Sequence, residues 1–312
     1  MSIRLKAPAL LLPVALASTL AACSGEPDPV AEVPAFPVDV ARVEVVEPGT
    51  DPQVLSYNDV GEEEESSTRS VTTETGFDQN VVASDAVDPA AQPLSETDSL
   101  TLPLEVRTLE APAAGEGELD ASRRVELRVA DDVSADLASA TGFLSVWRAA
   151  DDGRVSTVKL LAPEEATEDA RATVESALMS VLSSTVIFPS DAVGVGGSWT
   201  VESRVTGGST MLRTTTYTVT DIQDDQVMLD VIVDQRPAQE TLNFDAESAP
   251  DLAGQSLTVE SSDTVAEGSI TVDRTEALPV DGAVSASTRI VYAGADEDFR
   301  IVQDHTETVN WS

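Results

Sequence analysis

Cysteine and histidine are almost missing from this chain of 312 residues, which holds one of each. A disulfide needs two cysteines, so none can form within the chain. One cysteine and one histidine are also too few for a closed four-ligand zinc site of the Cys/His type. Cations are scarce: 18 Lys+Arg stand against 56 Asp+Glu, a formal charge of -38. A surface this acidic repels phosphate and excludes a nucleic-acid footprint. Aromatic residues make up only 4%, so stacking platforms for sugars or bases are few.

The one apolar run stands at the N-terminus. Arg4 and Lys6 form a positive n-region, Ala7 to Thr19 an apolar stretch, and Leu20-Ala21-Ala22 a small-residue cleavage site. This is the pattern of an export signal over residues 1–22, too short to span a bilayer comfortably. Cys23, the only cysteine, follows at once. Leu20-Ala21-Ala22-Cys23 resembles the bacterial lipobox, which implies that the Cys23 thiol is diacylated and becomes the mature N-terminus. Two acyl chains anchor stably where one is marginal. The expectation is a lipid-anchored protein on the outer, extracytoplasmic face of the cell membrane. Loss of residues 1–22 removes two cations and no acid, taking the charge from -38 to -40 and leaving Lys159 as the sole lysine. The acidity then reads as a solvated surface that keeps a tethered domain off anionic headgroups.

Six prolines among acidic and small residues mark positions 23–52 as the lipidated cysteine and a Pro/acid-rich tether. Residues 53–312 read as a β-rich domain, with a polar loop at 78–99. Val125, Leu127 and Val129 alternate with Arg124, Glu126 and Arg128, a strand with one apolar face. Hairpins follow: Phe143–Arg148 with Arg154–Leu161, a second turning at Gln223-Asp224-Asp225-Gln226, and Val284–Tyr292 with Phe299–Trp311. One segment breaks the period of two. From about 165 to 184, Val174, Ala177, Leu178, Val181 and Leu182 recur at helical spacing, bracketed by Pro163 and Pro189. A weak repeat relates Gly142–Val146 and Asp152-Gly153 to Gly268–Val272 and Asp281-Gly282, suggesting two similar halves, 53–165 and 190–312, joined by the helix. The fold class is α+β, mostly β: antiparallel curved sheet with one packed amphipathic helix.

The run Phe188-Pro189, then Val193-Gly194-Val195-Gly196, then Trp199 resembles the FPxxxVGvGaxW core of a domain of unknown function. That domain occurs in secreted and lipid-anchored proteins of high-GC Gram-positive bacteria. The resemblance implies location and a β-rich architecture, and no activity or catalytic residue.

No catalytic constellation stands out. His305 shares a strand face with Phe299, Ile301, Val309 and Trp311, and reads as structural, since a catalytic histidine needs a nucleophile and an orienting group. No Gly-x-Ser-x-Gly elbow is present. Lys159 on a strand reads as snorkelling rather than as a Schiff-base amine. Gly194-Val195-Gly196-Gly197 leads into strand rather than a helix N-terminus, so it is a turn and not a phosphate cradle. Glu62–Glu65, Asp224-Asp225 and Asp296–Asp298 lack the spacing of a calcium loop and read as solvated charge. No metal or cofactor is expected. Trp147, Trp199 and Trp311 fall on core-facing positions. The function expected is a non-enzymatic envelope lipoprotein that binds an apolar ligand, a lipid or an envelope protein, with Val174, Leu178, Val181 and Leu182 as ligand-facing or core residues. The alternatives are a structural or adhesion module without a cavity, and a two-carboxylate hydrolase.

Overall fold

The computed structural model describes residues 28–62, 65–88, 91–93, 96–115, 119–206, 210–243, 256–294 and 298–312. The expected signal segment, residues 1–22, and Cys23 lie outside the described residues. Short strands open the chain: β1 (Phe36–Pro37), β2 (Arg42–Glu47) and β3 (Thr50–Gln53). A first meander follows, β4 (Ser67–Ala83), β5 (Asp98–Glu110), β6 (Arg123–Val129), β7 (Leu144–Ala149) and β8 (Val155–Leu161). Then come helix α1 (Glu168–Ser183) and β9 (Val193–Val195). The second meander is β10 (Ser198–Thr206), β11 (Thr210–Gln223), β12 (Gln226–Pro237), β13 (Thr241–Asn243), β14 (Ser256–Asp273), β15 (Asp281–Ala293) and β16 (Phe299–Trp311).

Pairing is antiparallel throughout the main sheet, in the order β1-β8-β7-β6-β5-β4-β16-β15-β14-β12-β11-β10-β2, with β13 on β14. β3 pairs with β9 in a separate ribbon. The two meanders meet where the first long strand pairs with the last, Val71 opposite Trp311 through to Ala83 opposite Phe299. The halves suggested by the repeat therefore share one sheet. They also share one core, in which Leu104 and Leu127 of the first meander join Leu229 and Ile270 of the second around α1. The sheet curls around this core without closing, because β1 and β2 remain at opposite edges. The curl is steep enough for Arg213 on β11 to form an ion pair with Glu307 on β16, across three intervening strands.

Helix α1 forms where the periodicity places it. Thr167 caps it by accepting from the Ala170 amide at 3.3 Å, and Glu168 and Asp169 lie in its positive first turn. Val174, Leu178 and Val181 are fully buried and Leu182 nearly so.

Residues 28–52 correct the expected tether. Val30 is buried with Leu144 and Val146, the Asp28 carboxylate takes both terminal nitrogens of Arg124 at 2.8 Å, and β2 adds to the edge of β10. The Arg124 hydrogen bonds, aided by the Val30 amide, hold Asp28 at a pKa of about 2 against the opposing effect of burial. The prolines stay out of β2: Pro37 ends β1, Pro48 precedes Gly49 at φ +73°, and Pro52 falls within the short β3. Within β2, Val43 and Val45 alternate toward the core. Likewise β4 runs on through residues 78–83, expected as loop.

Candidate functional site

An open cleft of about 220 Å³ lies between the start of β4, the second half of β5 and the β14–β15 connection, lined by Asp59, Glu65, Ser67, Arg107, Thr108 and Glu276 among others. Its floor is the segment leading from β3 to β4. There Leu55 and Tyr57 point into the core, and the Asp59 carboxylate takes two hydrogen bonds from Arg123, at 2.7 and 2.6 Å, and one from the Thr108 hydroxyl at 2.9 Å. Arg123 also lies 4.0 Å over the Tyr57 ring, whose hydroxyl donates to the Val186 carbonyl at 3.0 Å. Burial raises the Tyr57 pKa and keeps that donor protonated. Glu276 receives Arg69 at 3.2 Å and the Ser67 hydroxyl at 2.8 Å, while Glu65 accepts from the Glu62 amide at 3.3 Å. Asp59 and Glu276 are thus each held by an arginine, while Glu65 is exposed and bonded to a backbone amide. A general acid–base pair needs two carboxyl groups facing one reacting bond.

Beneath α1 the picture differs from a ligand site. Val174, Ala177, Leu178 and Val181 pack in the same cluster as Val71, Leu102, Val227 and Trp311. A hollow of about 10 Å³ lies by the helix C-terminus, bounded by Ser184, Arg213, Val233 and Glu307, room for about one water. Arg213 places a cation near the negative end of the helix. The four helix residues expected to face a ligand or the core face the core.

The remaining candidates have ordinary structural roles. Lys159 donates to the Val30 carbonyl at 2.8 Å and pins the N-terminal segment. The glycine turn is a close backbone crossing: a Cβ on Gly194 would lie 2.0 Å from the Thr50 carbonyl oxygen. The amides of Gly194, Gly196 and Gly197 are spent on Pro48, Val219 and Gly194, leaving no anion cradle. Trp199 is buried, donates to the Ile187 carbonyl at 2.9 Å and stacks on Tyr217 at 5.2 Å; burial lifts the Tyr217 pKa to about 12. Trp147 and Trp311 are buried too. Arg274 clasps the Asp224-Asp225 turn through the Asp224 carbonyl and the Asp225 carboxylate. Glu63, Glu64, Asp296 and Glu297 lie outside the described residues. Among the described residues no group of three or more His, Cys, Asp and Glu side chains gathers as metal ligands would, and no helix is long and apolar enough to cross a membrane.

His305 lies on the inner face, opposite Thr288 on β15 and Phe77 on β4, its ring 4.8 Å from that of Phe77. Its Nε2 is buried, with no hydrogen-bond partner among the described residues. Burial lowers its pKa below 6.5, against the pull of the Asp304 charge. The unfolded chain then takes the proton first, so stability should fall as pH drops below 6.5 and level off beneath the lower native value. Denaturant melts between about pH 7.5 and pH 5.5, where histidine is the side chain that ordinarily titrates, should show this decline. His305→Gln should flatten it; an unchanged slope would place the titration elsewhere.

Residues 174–279, from the middle of α1 to the β14–β15 connection, match the model of a family of unknown function (DUF6263). The match spans about a third of the chain and contains the Phe188–Trp199 run. Comparison with curated proteins gives no match. One solved structure, described as "Asymmetric conductivity of engineered proteins", aligns at 11% identity over 80% of this chain and 100% of its own, with a TM-score of 0.14. That likeness carries no argument about fold. The chain is therefore similar, over its helix and the first strands of its second meander, to a family of unknown function.

Proposed function

We propose that this protein is a non-enzymatic lipoprotein of the cell envelope whose folded part engages an envelope protein, rather than carrying an apolar ligand. The observation that favours a partner over a cargo is the packing of α1: its inner face is filled by strand side chains, and the hollow at its C-terminus has about the volume of one water. The packing of residues 28–52 adds a constraint. If Cys23 carries the acyl chains, the five residues from there to Asp28 reach at most roughly 18 Å. The β7–β8 end, where Val30 is buried, would then sit close to the headgroups, with the charge of -40 left after loss of Arg4 and Lys6 resisting closer approach to anionic lipid.

Two measurements test this reading. Cys23→Ser should lose the acyl mass and move from the membrane to the soluble fraction; unchanged partitioning would remove the lipoprotein claim. Native mass spectrometry of that soluble variant should show a chain with no bound lipid. A stoichiometric lipid retained in the absence of the anchor would restore the ligand carrier.

A further inference from the structure

Strand β4 outruns its neighbour. Its pairing with β5 ends at Thr75 opposite Asp98, while its pairing with β16 continues without a register shift to Ala83 opposite Phe299. The hydrogen-bond phase of this extension can be read from its start. Ser70 and Ser312 exchange both of their N–H···O bonds, at 2.9 and 3.0 Å, in line with the same register. In an antiparallel ladder such pairs alternate, so even-numbered β4 residues bond to β16 and odd-numbered ones direct N–H and C=O to the other side. Up to Thr75 those groups meet β5. Beyond it, Phe77, Gln79 and Val81 have no backbone partner on that side among the described residues.

The side chains along this edge are sorted by face. Phe77 and Val81, 58% and 64% exposed, lie on the inner face, in register with His305 and Ile301. Asp78 lies on the outer face, and Glu74, Asp85, Glu96 and Asp98 flank the edge; among the described residues none of these five acids is in an ion pair.

We propose that the free half of β4, residues 76–83, accepts an extended cationic segment of a partner protein as an added strand. Unpaired backbone groups supply affinity and alternate side chains supply specificity in this mode. The fitting segment alternates apolar residues, laid against Phe77 and Val81, with Lys or Arg facing Asp78 and the flanking acids. A second copy of this chain is the poorer occupant, since it would bring the same acidic edge and an equal, large negative charge. The inference rests on the partner-binding reading above and names the partner's chemistry.

The test uses the full chain in detergent and two eight-residue capped probes, one alternating Val and Lys, the other Val and Glu. The lysine probe should slow amide hydrogen exchange at Phe77, Gln79 and Val81 and bind about tenfold or more tighter than the glutamate probe. Val81→Pro removes a donor that points to the open edge, so no bond to β16 is lost; with an unchanged circular dichroism spectrum it should weaken the lysine probe about tenfold. Asp78→Lys, which leaves the backbone alone, should weaken the lysine probe and strengthen the glutamate probe. Equal binding of both probes, unslowed exchange at the three amides, or Asp78→Lys without effect would overturn the proposal. Those failures would leave the anchor and the lipid-free, filled core untouched, since fractionation and native mass spectrometry read these separately.

Discussion

Asp59→Ala is expected to destabilise the fold by about 3–5 kcal/mol, because it leaves the Arg123 charge buried without its counter-ion. The side chains of the two residues are 1% and 4% exposed, so both charges are desolvated in the native fold, and only water entering from the adjoining cleft could replace the lost carboxylate. Thr108 would also lose the acceptor for its hydroxyl. The position is sensitive for a topological reason. Residues 54–62 belong to no ladder of the main sheet, and they are held by Leu55, Tyr57, this ion pair and single backbone bonds such as Asn58 to the Arg274 carbonyl. The paired substitution Asp59→Leu with Arg123→Met should recover much of the loss, since an apolar pair avoids both desolvation penalties. Denaturant melts of the single and double variants measure the coupling directly. A single substitution costing under about 1 kcal/mol would mean that solvent reaches the pair, as at a surface salt bridge.

Leu178→Ala should cost about 2–5 kcal/mol, from lost burial plus the cavity left behind. Leu178 is fully buried among residues of both meanders, so no single neighbour can relax into the space. Glu175, on the outer face in a half-exposed pair with Arg171, supplies the contrast: Glu175→Ala should change stability by under about 0.5 kcal/mol. Leu178→Trp separates the functional readings. In a filled core the larger ring overpacks, with a loss of roughly 1–3 kcal/mol. Full stability of that variant, accompanied by loss of a bound lipid, would show that the helix covers a binding space after all.

Much of the local architecture could be read in advance because it depends on nearby residues. The helix expected at 165–184 spans Glu168–Ser183, and β6, β16 and the turn at Asp224-Asp225 fall where alternation and turn residues place them. The errors share a cause. Residues 28–52, polar and marked by prolines, and residues 78–83, opening on Asp78-Gln79-Asn80, have the composition of unpaired chain, yet strands form in both. An edge strand buries only one face and pairs on one side, so its composition approaches that of a loop. Asp59 gave no signal either: one acid among 56 acidic residues becomes structurally important only when Arg123, distant in the chain, arrives beside it.

The sequence by itself determined the acidic surface, the absence of a disulfide, the period of two over most of the chain and the period of 3.6 over one segment. These are properties of composition and of neighbours a few residues apart. Tertiary structure alone decided that the first long strand pairs with the last, that the N-terminal segment packs as an edge, and that Arg213 reaches Glu307 across a curled sheet. It also decided that β4 runs past β5. Each is a contact between residues far apart in the chain, formed only when non-local burial outweighs the entropy of closing the intervening loops. No local window of residues contains that balance.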